Sequence, residues 1–144
     1  MSKKICVLDG QGGGIGSAII KKLKSVFGET VEVLALGTNA IATAQMLKAR
    51  ANRGATGENA IVQTVPRADL IVGSLSIVLA HGMMGEVTPA MAEAIAVSTA
   101  PKFLLPLCQE NTIVVGSSKD PLPHLVEELV EIHLKSIIME SEST

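Results

Sequence analysis

The sequence predicts a three-layer α/β fold, in which helices cover both faces of a mostly parallel sheet of about five strands. Short apolar runs of strand length alternate along the 144 residues with segments that carry apolar residues at helical spacing. The first run leads through a glycine-rich turn directly into a helix, which is typical of a right-handed βαβ unit. Alternating strands and helices form parallel sheets. The predicted architecture is therefore Rossmann-like.

The first half of the chain is predicted to form two strands, each followed by a helix. The strands are buried on both faces, because their apolar runs are nearly continuous. The residue before the second helix should cap it, and either Thr38 or Asn39 has a side chain that can accept from a first-turn backbone N–H. The predicted elements are Ile5–Leu8, Ser17–Lys24, Val31–Leu36 and Ala40–Arg50.

The second half is predicted to extend the same sheet. Pro89 after Thr88 marks a helix start, because proline is favoured at the first helical position. The β-branched run Thr112–Val115 predicts an added antiparallel edge strand after a turn at Gln109–Asn111. Residues 73–84 fit a strand, a buried helix or an interface segment equally well. The other predictions are a loop over Ala51–Gly57, strands Asp69–Val72 and Lys102–Leu107, and helices Glu58–Val65, Thr88–Val97 and one capped by Asp120–Pro121.

Length and composition predict one domain, over residues 1–138, with a flexible tail at 139–144. The net charge of −2 and the absence of Trp and Tyr argue against nucleic acid as a partner. No apolar stretch approaches the roughly 18 residues that indicate a membrane helix. Cys6 and Cys108 form no metal-ligand spacing and read as reduced thiols of a cytoplasmic protein.

Self-association is also expected. The mean hydropathy of +0.42 is high for a short chain, which indicates apolar surface shared between subunits. The apolar run Leu75–Met84 has no obvious place in the sheet. We therefore expect a homo-oligomer whose interface includes this run.

The glycine-rich turn is the strongest functional signal. A strand that enters a helix through glycines presents free backbone N–H groups and the positive end of the helix dipole, which together attract anions. No Lys-Ser/Thr follows the turn, so it is not a Walker A motif. The residues expected to hold an anionic group are Gly10, Gln11, Gly12, Gly13, Gly14, Ile15 and Gly16.

The spacing of Gly10, Gly14 and Gly16 fits GxxxGxG, which resembles the cofactor loop of short-chain dehydrogenases and reductases. That family uses a catalytic Tyr-x-x-x-Lys, and this chain contains no tyrosine. In ordinary NAD sites an acid at the end of the second strand binds the ribose. Gly37 stands at that place here, and no nearby basic residue suits NADP. Ordinary NAD(P) is therefore disfavoured as the cofactor.

Four segments together resemble a second group of proteins. They are Asp9-Gly-Gln-Gly-Gly-Gly-Ile-Gly, Ala35-Leu-Gly-Thr-Asn-Ala-Ile-Ala, Gly54-Ala-Thr-Gly-Glu-Asn-Ala and Gly85-Glu-Val-Thr-Pro. Taken together, the chain is similar to a family of small, uncharacterised Rossmann-like bacterial proteins, which is itself a domain of unknown function. The resemblance covers nearly the whole chain and implies the fold, but it assigns no activity.

Polar residues follow several predicted strands directly, and the carboxyl ends of parallel strands share one edge, where α/β proteins bind ligands. The sequence thus predicts a binding module for a nucleotide or another phosphorylated metabolite. Two alternatives stay open: a small enzyme acting on such a ligand, and a structural protein whose loop is empty. Further expected ligand contacts are Gly37, Thr38, Asn39 and Asn59, and the candidate acid–base groups are Asp9, Glu58, Glu86 and His81. No metal ligands are predicted.

Overall fold

A five-stranded, all-parallel sheet forms the centre of the molecule, and its strands, numbered along the chain, lie side by side in the order third, second, first, fourth, fifth. The computed structural model describes residues 2–108, 111–117 and 119–142. The central strands are almost wholly buried, as expected for strands covered on both faces. The strands are β1 Lys3–Asp9, β2 Val31–Gly37, β3 Arg53–Thr56, β4 Leu70–Ser74 and β5 Lys102–Leu105.

Helices pack on both faces of the sheet and complete the predicted three layers. One apolar core contains residues of the first helix and of the C-terminal helices, and the other contains residues of the third and fourth helices. Short 3₁₀ segments lie at Gly28–Thr30, Val65–Arg67 and Leu75–Val78. The helices are α1 Gly14–Phe27, α2 Ala40–Lys48, α3 Glu58–Thr64, α4 Pro89–Val97, α5 Leu122–Glu127 and α6 Lys135–Glu142, with a π-helical segment at Glu128–Leu134 between the last two.

The predictions between Ile5 and Val72 were confirmed except at one loop. Ala51–Gly57 was expected to be irregular, but Arg53–Thr56 forms the edge strand β3 and pairs with Leu34–Gly37 of β2. Three of its four residues are exposed and two are small, so it lacks the apolar pattern that identifies a strand. Its partner strand, rather than its own propensity, makes it extended.

The expected antiparallel edge strand over Thr112–Val115 was wrong. No strand occurs within residues 111–117, and all seven residues are exposed. β-branched residues favour a strand only where a paired ladder and burial accompany them. The turn predicted at Gln109–Asn111 falls partly outside the described residues, which omit Gln109 and Glu110.

The ambiguous segment 73–84 contributes some of its residues to the protein's own core. Ser76 and Ile77 in the 3₁₀ turn are buried, as is Met83, whereas the Met84 side chain is 91% exposed. Ile77 and Met83 are therefore covered within one chain, while other apolar residues of the run stay partly or fully exposed, and a homo-oligomer remains a prediction.

The C-terminal region is helical as far as Glu142, and Ser143 and Thr144 lie outside the described residues. Leu125, Val126, Leu129 and Val130 are buried, as their spacing predicted. Among the described residues, no helix combines the length and apolarity needed to cross a membrane.

Candidate functional site

The carboxyl ends of the strands meet at one edge of the sheet, and the chain changes direction there. From β1 it builds β2 and β3 on one side, then returns to build β4 and β5 on the other. Open α/β sheets bind ligands at such a switch point. A crevice of about 310 Å³ lies there, bordered by Asp9 at the end of β1, Gln11 after β1, Ser74 at the end of β4, and Cys108 beyond β5. We call it the switch-point crevice.

Asp9 closes the glycine-rich turn on itself. Its Oδ1 accepts a hydrogen bond from the Gly10 N–H at 2.8 Å and its Oδ2 accepts from the Gly16 N–H at 2.6 Å. Burial of this carboxyl group, which is only 4% exposed, raises its pKa. The hydrogen bonds from Gly16, Gly10 and Ile15 lower it, but the net shift is upward. Both oxygens are thus committed to holding the turn.

Three of the turn's glycines are explained by packing inside the protein. A Cβ on Gly10 would lie 2.5 Å from Thr38 Oγ1 and 2.6 Å from Met83 Sδ. A Cβ on Gly13, whose φ is +76°, would meet the Ala42 carbonyl oxygen at 2.9 Å. A Cβ on Gly16 would meet Met46 Sδ at 2.5 Å. None of these positions needs a ligand to account for its glycine.

Gly12 and Gly14 differ from the other three glycines. Both are exposed, and a Cβ at either would find no heavy atom within 4 Å. Neither backbone N–H donates a hydrogen bond to another residue in the described part of the chain. Gly14 is the first residue of α1, where the helix dipole is positive. The turn therefore presents two unoccupied donors in open space.

Glu86, on the loop between β4 and α4, bridges to the other half of the sheet. Its Oε1 accepts three hydrogen bonds: from the Gln11 N–H at 2.8 Å, the Thr38 hydroxyl at 2.7 Å and the Asn39 Nδ2 at 2.8 Å. Asn39 also caps α2 by accepting from the Ala42 N–H. An acidic group therefore stands at the exit of β2, although the sequence there contains none.

Partial burial raises the pKa of Glu86, but the hydrogen bonds from Gln11, Thr38 and Asn39 outweigh it, and the net pKa lies below the ordinary 4.5. A carboxyl group with a depressed folded-state pKa stabilises the fold above its unfolded pKa, and this contribution is lost as pH falls through the folded value.

We expect the unfolding free energy of wild type to be larger than that of Glu86→Gln at pH 7. This difference should shrink below about pH 4.5. Denaturant titrations of both proteins between pH 7 and about pH 3.5 would measure it. The charge of Glu86 also raises the pKa of Asp9, so Glu86→Gln relieves part of that repulsion and the measured difference is the net of both effects. A difference that does not change with pH would contradict the role of the ionised carboxylate.

The other predicted residues lie elsewhere along the rim. Glu58 Oε1 accepts from the Thr88 hydroxyl at 2.6 Å, while Asn59 is exposed in the first turn of α3. His81 is exposed at a φ of +66°, and among the described contacts none joins its imidazole to Asp9 or Glu86. Gly37 is buried where a Cβ would collide with the side chain of Thr43, so its glycine serves packing.

The structure adds groups that the sequence analysis left out of the site. Ser74 is 2% exposed and borders the crevice, and its hydroxyl forms no hydrogen bond with the described residues. Cys108 is half-buried at the same crevice, whereas burial raises the pKa of Cys6 to about 12 and makes it inert. Within the described ranges no cluster of three metal-ligating side chains occurs.

Comparison with known proteins gives a family and no activity. A family model described as "Domain of unknown function (DUF3842)" matches residues 4–138. No curated protein and no solved structure matches the chain.

Proposed function

The chain belongs to the DUF3842 family, and from its site we propose that it is a binding module for a nucleotide or another phosphorylated metabolite. The observation that carries this proposal is the pair Gly12 and Gly14. Nothing inside the protein explains their lack of a side chain, and their N–H groups point to no described partner. A phosphate approaching the start of α1 would use both features.

The neighbouring charges define how such a ligand is held. Asp9 and Glu86 are both acidic, and no lysine or arginine borders the switch-point crevice among its described lining residues. Backbone donors and the helix dipole would therefore have to bind the phosphate without a basic partner. We expect moderate affinity, and we expect the rest of the ligand to contribute through the crevice.

The enzyme alternative receives less support from the geometry. Asp9 uses both carboxylate oxygens in the turn, and Glu86 holds three donors with a depressed pKa. The depressed pKa moves Glu86 away from proton transfer near neutral pH, and the raised pKa of Asp9 does not free its two oxygens from the turn. Glu58 and His81 remain free of that objection but lie apart in the described contacts.

We also propose a cytoplasmic location, on the two unpaired cysteines.

Thermal unfolding in the presence of phosphate, sulfate and common nucleotides tests the proposal. A ligand at 100 times its dissociation constant should stabilise the protein by about 2.7 kcal/mol. Gly14→Val should remain folded, because its side chain enters open space, but it should lose the response because that space is the approach path.

Ala90→Val is the matched control. It adds the same side chain to the exposed first turn of α4 and should keep the wild-type response. If none of these compounds stabilises wild type, or if Gly14→Val responds as wild type does, the proposal is wrong.

A further inference from the structure

The carboxylate of Glu86 is only half used by the protein. All three of its hydrogen bonds end on Oε1, and Oε2 accepts none from the described residues. The side chain is partly exposed, and no described lysine, arginine or histidine forms an ion pair with it. One oxygen is therefore fixed in position by three donors, while the other faces no partner.

The charge state decides what the free oxygen can bind. The depressed pKa keeps Glu86 ionised at neutral pH, so Oε2 can only accept hydrogen bonds. An anionic group would be repelled there. A neutral group with hydroxyl donors would be bound, and two adjacent hydroxyls suit a carboxylate, which has several acceptor sites.

Glu86 lies beside the glycine-rich turn, so a ligand whose hydroxyls bind Glu86 can also reach the turn. Gln11, whose N–H binds Glu86, precedes Gly12, which carries one of the two unoccupied donors. Thr38 and Asn39 hold the carboxylate at the exit of β2, the place where dinucleotide-binding sheets carry a ribose-binding acid on β2 itself. Here a residue of the β4–α4 loop occupies that place.

We propose that Glu86 binds the vicinal hydroxyls of a ribose whose phosphate lies at the Gly12 and Gly14 amides. The proposal rests on the proposed function, because it names the sugar of the phosphorylated ligand. It predicts that the protein distinguishes ribonucleotides from their 2′,3′-dideoxy counterparts, whatever the base.

Titration calorimetry with AMP, GMP, CMP and UMP, each paired with its 2′,3′-dideoxy analogue, provides the test. In wild type, at least one ribonucleotide should bind about 10- to 100-fold more tightly than its analogue. A fully buried hydroxyl site would give a larger ratio, but Glu86 is partly exposed. Equal binding of both members of every pair would overturn the proposal and leave the proposed function standing. Binding of none of these nucleotides would overturn the ribose proposal, while stabilisation by phosphate or sulfate would still support the proposed function.

Glu86→Gln tests the sugar contact while keeping the hydrogen bonds that Glu86 makes within the protein. The glutamine oxygen can still accept from Gln11, Thr38 and Asn39, while an NH₂ donor replaces the free oxygen. We expect the ratio between each pair to fall to within about threefold of one. Glu93→Gln, on the exposed face of α4, should keep the wild-type ratio. An undiminished ratio in Glu86→Gln would overturn the proposal.

Discussion

Asp9→Ala is expected to lower the free energy of unfolding by about 2–4 kcal/mol. The substitution leaves the N–H groups of Gly10 and Gly16 without their acceptor, in a turn where both residues are buried. Each unsatisfied buried donor costs about 1–3 kcal/mol. Part of this loss is offset because a carboxylate with a raised pKa is itself costly to bury.

Urea denaturation of wild type and variant would measure the change. Asp69→Ala is the matched control, because the Asp69 carboxylate also accepts from a backbone N–H, that of Lys4 at 2.8 Å, but at an exposed position. We expect the control to lose less than about 1 kcal/mol. Equal losses in both variants would show that Asp9 does not hold the turn.

Gly37→Ala should be still more damaging, at about 3 kcal/mol or more. The added methyl group would collide with the Thr43 hydroxyl and would lie 2.7 Å from the Thr43 backbone nitrogen and 2.8 Å from the Asn39 carbonyl oxygen. Two of these atoms belong to the backbone at the start of α2, so they cannot move aside as a flexible side chain can. Relief requires a shift of α2 against β2.

Gly12→Ala provides the comparison, since its methyl group would meet no heavy atom within 4 Å. Its unfolding free energy should stay within about 0.5 kcal/mol of wild type. Circular dichroism and denaturant midpoints for the two variants would distinguish a local clash from a general intolerance of side chains in this region. Normal stability of Gly37→Ala would show that α2 can reposition without cost.

The features predicted correctly are those whose signals are local. The strand–turn–helix around Gly10–Gly16 and the cap expected at Thr38 or Asn39, which Asn39 forms, depend on residues within a few positions of one another. The edge strand Arg53–Thr56 was missed because its extended form comes from pairing with β2 and leaves no apolar pattern. Local propensity cannot predict a short strand whose extended structure is determined by the strand that it pairs with.

The candidate site was predicted in its parts but not in its connections. Asp9, Gln11, Thr38, Asn39 and Glu86 were each singled out, yet Thr38 and Glu86 are 48 positions apart and no pattern relates them. The acid at the exit of β2 was judged absent because it was sought on β2. The acid comes instead from the β4–α4 loop, and only the three-dimensional path of that loop brings it to β2.

The contact between Glu86 and Gln11 also has a mechanical consequence. The ladder that joins β1 to β4 ends at the pair Val7 and Val72, whereas β1 continues to Asp9. Beyond that point, the bonds of Glu86 fasten the two halves of the sheet. The amide proton of Gln11 should therefore exchange with solvent when the halves part, so that its protection from exchange reports how often the crevice opens.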